Sequence, residues 1–210
     1  FHFLTSKSER KALLLGQRPP RKDTSRQLSR SYNPNYDPVL LQVKQALDYY
    51  LLVGPPGTGK TSMALRFMVE EELVEKEHSL LLMSYTNRAV DEICEMLSDA
   101  GIDYIRIGNE FSCAPRFRDK LLSKRSAAMA HLHDISSMIA DSRIIVGTTS
   151  TMLSRQYLFN VKHFSLAIVD ESSQILEPDL IGLLAAHGGE YKDGLAIDRF
   201  VLIGDHKQLP

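Results

Sequence analysis

An apolar run at 51–53 passes directly into Gly54-Pro55-Pro56-Gly57-Thr58-Gly59-Lys60-Thr61, and a helical pattern begins at Lys60. Glycine weakens strands and helices alike, so three glycines at this junction point to a backbone that must turn tightly. In such a loop the N–H groups face inward, and the following helix adds positive potential at its N-terminus. The result is a phosphate cradle in the strand–loop–helix context it requires. A glycine-rich turn can also do no more than end a strand. Lys60-Thr61 and the helical pattern behind them favour the cradle.

The cradle strand must be buried among others, and the rest of the chain supplies them. From Val39 onward, short Leu/Ile/Val runs at 50–53, 79–84, 104–107, 143–147, 166–170 and 200–203 read as strands. Helical patterns occupy 60–76, 88–99, 118–140, 151–158 and 178–187. This alternation predicts an α/β fold with a mostly parallel sheet covered by helices on both faces. At 210 residues, the chain suits one domain with a full core, placed at 39–210. The stretch around Gly188-Gly189 and Gly194 is longer than a tight connector and reads as a functional loop.

Residues 1–38 lack sustained periodicity and carry the turn signals Pro19-Pro20 and Asn33-Pro34-Asn35. Lys7, Arg10, Lys11, Arg18, Arg21, Lys22, Arg26 and Arg30 face only Glu9 and Asp23 in the first thirty residues, although the whole chain has a net charge of −1. This stretch reads as a basic linker or the remnant of a preceding domain. A basic arm that holds phosphate backbones is the other reading. No run reaches the roughly 18 apolar residues of a membrane span, and no leader pattern opens the chain. The expectation is a soluble, intracellular protein with no membrane partner, cytoplasmic or nuclear. Cys94 and Cys113 have no Cys or His at metal-ligand spacing and read as free thiols.

Phosphate chemistry assigns roles to named residues. Gly54, Pro55, Pro56, Gly57, Thr58, Gly59, Lys60, Thr61 and Ser62 form the expected ATP-binding loop. Lys60 reaches the β and γ phosphates, and the Thr61 hydroxyl binds Mg²⁺. Asp170-Glu171 follows Leu166-Ala167-Ile168-Val169, so both carboxylates belong at the C-terminal edge of a buried strand, where α/β sheets place ligands. Asp170 is assigned to the Mg²⁺ shell and Glu171 to the attacking water. An acidic pair after a strand is often only a helix-capping region; the upstream cradle argues for the catalytic role. Gly204-Asp205 follows another apolar run, which brings Asp205 and Gln208 to the same edge, with the Gln208 amide as a γ-phosphate sensor.

Together these segments resemble the first RecA-like domain of a superfamily 1 helicase, in the subgroup (B) of the up-frameshift helicases and the eukaryotic replication helicase-nuclease. The loop at Gly54 resembles motif I, Val169-Asp170-Glu171-Ser172-Ser173-Gln174 motif II, and Gly204-Asp205-His206-Lys207-Gln208-Leu209-Pro210 motif III. Ser84-Tyr85-Thr86-Asn87-Arg88-Ala89-Val90-Asp91 resembles motif Ia, and Val146-Gly147-Thr148-Thr149-Ser150-Thr151 motif Ic. The resemblance spans 48–210 and implies that Thr86, Asn87, Thr148, Thr149 and Ser150 contact the sugar-phosphate backbone of a single strand. Short hydroxyl and amide donors suit phosphate oxygens without base selectivity. The same residue types are the preferred helix N-caps, so each has a purely structural reading beside the functional one. Gln42 and Gln45 sit closer to Gly54 than the family's adenine-reading glutamine, and Ser172-Ser173 stands where Ala-Ser is usual.

The resemblance implies an ATP-dependent helicase or translocase acting on single-stranded nucleic acid, DNA over RNA, with Mg²⁺ and ATP. A second RecA-like domain carrying arginine fingers would complete the site. Two other readings use the same pocket: a nucleotide-gated binding or assembly switch that does not unwind, and a P-loop ATPase completed by a neighbouring subunit. A second arginine-bearing domain in the protein separates the first reading from the switch, and oligomeric state separates it from the ring.

Overall fold

A computed structural model describes residues 8–54, 63–188 and 194–205. Its six strands are β1 (Tyr49–Val53), β2 (Leu80–Ser84), β3 (Ile105–Ile107), β4 (Ile144–Thr148), β5 (Phe164–Asp170) and β6 (Ile197–Gly204). They form one sheet in the order β1–β6–β5–β2–β4–β3. Every pairing is parallel, so the α/β expectation holds.

Register aligns the strand ends along one edge of this sheet. Val53 pairs with Gly204, and Ser84 pairs with both Thr148 and Asp170. Neighbouring strands lie about 4.8 Å apart. The ends of β1, β6, β5, β2 and β4 therefore form one row, and all described segments of the expected motifs sit on it.

The interior strands are apolar because both faces are covered. Successive residues point to opposite faces, so Leu80 and Leu82 enter one core with Leu65, Met68, Val90, Ile93 and Ile168. Leu81 and Met83 enter the other with Ile105, Ile145, Met152, Phe159, Val169 and Leu183. The helices that cover the sheet include α1 (Glu9–Leu14), α2 (Asp37–Gln45), α3 (Leu65–Glu72) and α4 (Asn87–Asp99). They are followed by α5 (Leu122–Arg125), α6 (Leu132–Asp141), α7 (Thr149–Ser154), α8 (Leu158–Val161) and α9 (Glu177–Leu184). None of the described helices is long and apolar enough to cross a membrane.

Two expected helices are corrected. The pattern at 118–140 breaks into a 3-10 turn (Pro115–Lys120), α5 and α6. Leu121 leaves helical geometry at φ −62°, ψ 136° and bridges to Arg106 on β3, fully buried. Core burial at that position outweighs the helix propensity of its neighbours. The pattern at 151–158 splits into α7 and α8 around Arg155, at φ −122°, ψ 45°. The loop expected around Gly188 to Gly194 falls partly outside the described residues; its described ends bridge through His187 and Leu195.

The basic stretch before Val39 lies against the domain. Arg10 of α1 donates to the carbonyls of Ile197 and Asp198, at 2.7 and 2.6 Å, and sits over the Phe200 ring. Arg18 and Arg21 both bind the buried Asp48 carboxylate, each at 2.8 Å. Burial alone would raise the Asp48 pKa, but hydrogen bonds from both arginines hold it well below the carboxylate range. Arg30 pairs with Glu70. Proline signals mark where this segment turns, and Asp48 and Glu70, which tie Arg18, Arg21 and Arg30 to the domain, lie 27 to 40 residues along the chain.

Candidate nucleotide and nucleic-acid site

The row of strand ends begins at Gly54, whose N–H donates to the Gly204 carbonyl at 3.3 Å. The rest of the expected cradle, Pro55 through Ser62 with Lys60 and Thr61, lies outside the described residues, as does Gln208. Gly54 leads into that loop beside β6, and α3 follows it. Asp205, buried, comes directly after β6.

Asp170 ends β5 and is 5% exposed. Glu171 follows at φ 52°, ψ 32°, the one described non-glycine residue in the left-handed region. A side chain in that conformation costs about 1–2 kcal/mol, so the surrounding contacts must sustain it. They do so on both sides. The Glu171 Oε2 accepts from Ser84 Oγ at 3.1 Å and from Thr86 Oγ1 at 3.4 Å. Ser172-Ser173-Gln174 then forms one 3-10 turn. Ser172 Oγ donates to the Ile203 carbonyl at 3.0 Å, and the Asp205 N–H donates to Ser173 Oγ at 3.4 Å. A Cβ at Gly204 would lie 3.1 Å from Ser172 Oγ and 3.2 Å from the Ser173 nitrogen, so glycine permits the post-β5 and post-β6 segments to meet.

The expected strand-contact residues occupy the next two positions of the row. Thr86 caps α4, accepting from the Ala89 N–H at 3.1 Å, and is half-buried. Thr148 caps α7, accepting from the Thr151 N–H at 3.2 Å. Thr148 and Thr149 are buried, while Asn87 and Ser150 are exposed at the same edge. Capping therefore occupies acceptor capacity at Thr86 and Thr148; the Thr86 hydroxyl donates to Glu171, and the Thr148 hydroxyl shares a 2.8 Å hydrogen bond with the Thr151 hydroxyl.

Three residues on this edge were given no role by the sequence reading. Ser84 is fully buried beneath Glu171, Tyr85 is exposed, and Phe111, in the turn after β3, is 93% exposed. A polar residue closing the apolar run Leu80-Leu81-Leu82-Met83 was the available signal for Ser84. Its partner becomes visible only when β2 is placed beside β5.

Among the described residues no cluster of three or more His, Cys, Asp or Glu could cage a metal. Mg²⁺ typically takes one or two protein oxygens and completes its shell with phosphate and water. The hard-oxygen donor Asp170 fits that chemistry. Cys94 and Cys113 are free and buried, and burial raises the Cys94 thiol to about 11, which leaves it protonated at neutral pH. A cavity of about 510 Å³ lined by Glu71, Glu72, His78, Asp198 and Arg199 gathers residues from the start of β6 and the end of α3. None of the expected site residues lines it.

Comparison with known proteins agrees with this fold. The family model described as AAA domain matches residues 39–134 and 116–210. The DNA replication ATP-dependent helicase/nuclease JHS1 of Arabidopsis thaliana is 32% identical over 209 residues, covering 94% of this chain and 14% of that protein. The DNA replication ATP-dependent helicase/nuclease DNA2 of Mus musculus is 34% identical over 194 residues, covering 90% of this chain and 17% of that protein. The chain thus spans about one-sixth of the length of these relatives. Among solved structures, T4 UvsW superimposes with a TM-score of 0.56 at 12% identity, over 85% of this chain and 31% of that one. A second structure of the bacteriophage T4 UvsW helicase gives 0.53 at 13% identity, over 88% and 62%. These two likenesses concern the fold. The chain belongs to the AAA domain family, has the RecA-like fold and is similar to the first motor domain of superfamily 1 helicases.

Proposed function

We propose that this chain is the ATP-binding first motor half of an ATP-dependent helicase or translocase that acts on single-stranded nucleic acid, DNA in preference to RNA. The observation that carries the reading is the single row formed by Gly54, Asp205, Asp170-Glu171, Thr86 and Thr148 at one sheet edge. The nucleotide residues stand at the ends of β1, β6 and β5 and the strand-contact residues at the adjoining ends of β2 and β4, so the two sets meet where Thr86 donates to Glu171. The DNA preference follows the named replication relatives.

In this reading Lys60 and the Gly54 loop hold the phosphates, Asp170 and Thr61 hold Mg²⁺, and Glu171 orients and deprotonates the attacking water. The metal supplies charge neutralisation at the transferring phosphate when bound. Gln208 and Asp205 report the γ-phosphate. Asn87, Ser150 and the hydroxyl of Thr86 hold the sugar-phosphate backbone, and Tyr85 and Phe111 offer faces on which bases stack. A second RecA-like domain closes the site with an arginine finger worth about 10³–10⁵ in turnover, so this chain alone binds nucleotide weakly and hydrolyses little. The test is ATP turnover of the full-length protein with and without oligothymidylate or oligouridylate. Stimulation by the DNA oligomer, abolished in Lys60→Ala, supports the reading; equal turnover with and without either oligomer refutes it.

A further inference from the structure

We propose that the sheet edge opposite the nucleotide row carries a second anion site, a cavity built around Lys162 that takes a phosphate-sized anion.

The cavity measures about 380 Å³ and is lined by the residues that lead into β2, β4 and β5. That volume falls in the range of small-ligand pockets, about 300–1,000 Å³. Lys162 is 6% exposed, and lysine is rarely buried so far without a charged partner. Its Nζ donates to the Ala140 carbonyl at 2.7 Å, closing the last turn of α6. An ammonium has three protons to donate, so this cap accounts for one. Among the described residues no carboxylate stands within ion-pair distance of Lys162; the exposed Asp141 acts on it from farther away, and Arg143 acts against it. Arg143 donates to the carbonyls of Leu73, Glu75 and His78, none of which offsets its charge. Burial accordingly lowers the Lys162 pKa.

Two neighbouring cations, one of them buried, are costly without a counter-charge. The adjoining cavity shows the contrast, because there Lys44 meets the buried Glu71 and Arg199 meets the buried Glu72. At Lys162 the lining sets Lys76, Arg143 and Lys162 against only two carboxylates, the exposed Glu77 and Asp141. An anion bound there accepts the remaining Lys162 protons, and the exposed Lys76 reaches it from the rim. A phosphate group has the charge and the acceptor oxygens for this setting, whether it is free phosphate or part of a nucleic-acid backbone.

The full-length protein in a Lys60→Ala background, which removes phosphate binding at the nucleotide loop, provides the test. Calorimetric titration with inorganic phosphate should show binding that Lys162→Met weakens at least about tenfold and the exposed Lys76→Gln about threefold. A parallel titration with oligothymidylate identifies the source: dependence on Lys162 there, without dependence for inorganic phosphate, assigns the site to a backbone phosphate. Thermal unfolding separates the site from a helix cap. In phosphate-free buffer Lys162→Met should unfold at or above the temperature of the Lys162 protein, because an unpaired buried charge is gone, and saturating phosphate should reverse that order. A Lys162→Met protein that unfolds lower by the same margin with and without phosphate overturns the proposal and leaves Lys162 as the cap of α6. Titrations with both probes that do not change in Lys162→Met overturn it as well.

Discussion

Arg199 is the third residue of β6, yet its guanidinium joins three elements. It donates to the carbonyls of Val43 and Ala46 at the end of α2, at 2.9 and 3.5 Å, and pairs with the Glu72 carboxylate that ends α3. The two side chains are 8% and 4% exposed. Glu72 also lies 3.0 Å from His78 Nδ1. Removing one member of a buried pair strands the other charge and costs about 3–5 kcal/mol. Arg199→Met also leaves the Val43 carbonyl without this donor, adding about 1 kcal/mol. Glu72→Met should therefore destabilise the chain by about 4 kcal/mol and Arg199→Met by about 5 kcal/mol, a large share of a typical domain's stability. The double variant replaces the pair by apolar stems and should cost only about 1–2 kcal/mol. Urea unfolding followed by circular dichroism reads all four corners of the cycle, provided the slope with denaturant stays constant. Burial opposes the charge on Glu72, but His78 and Arg199 keep its pKa below the ordinary 4.5. A depressed folded-state pKa gives stability that is present above the unfolded value and lost as pH falls. The wild type should accordingly lose stability more steeply below about pH 4.5 than the double variant. A double variant as costly as the sum of the singles would refute the reasoning, because the charges would then not be compensating each other.

Three other perturbations probe different parts of the account. A Cβ at Gly147 would lie 2.6 Å from the Met152 methyl and 2.9 Å from the Ile107 carbonyl; the methionine can yield but the β3 backbone cannot, so Gly147→Ala should cost about 2–3 kcal/mol in urea unfolding. Asp48→Asn weakens the clasp of Arg18 and Arg21, which rehydrate in part, and should cost about 2 kcal/mol, read as a fall of about 4–8 °C in Tm. Because the Asp48 pKa is depressed in the folded state, the gap to wild type should persist at neutral pH and close as pH falls below about 3.8. Phe111→Ala should leave stability within about 0.5 kcal/mol yet weaken oligothymidylate binding by about 1–3 kcal/mol in anisotropy titrations.

The sheet was legible because its strands are buried on both faces and read as bare apolar runs; Leu80-Leu81-Leu82-Met83 and Ile144-Ile145-Val146 admit little else. Strand ends extended further where pairing, invisible locally, continued the ladder, as at Phe164 beside Ile197. The split of 118–140 was not legible, since helix formers surround Leu121 and only its burial beside β3 pulls it out. Asp170-Glu171 could be placed at a strand end, but nothing in a glutamate signals left-handed backbone. The Ser84–Glu171 contact joins positions 87 residues apart through a β2–β5 neighbourhood that chain order does not announce. The same holds for Arg10, whose partners on β6 are 187 and 188 residues away.

The central claim is that Glu171 performs the hydrolytic step at an edge shared with the strand. The most direct measurement is ATP turnover and nucleotide affinity of the full-length protein bearing Glu171→Gln, with saturating oligothymidylate. Nucleotide affinity within about twofold of wild type and turnover lower by about 10²–10⁴ are the result expected of a lost general base. Turnover at the wild-type rate would contradict the assignment.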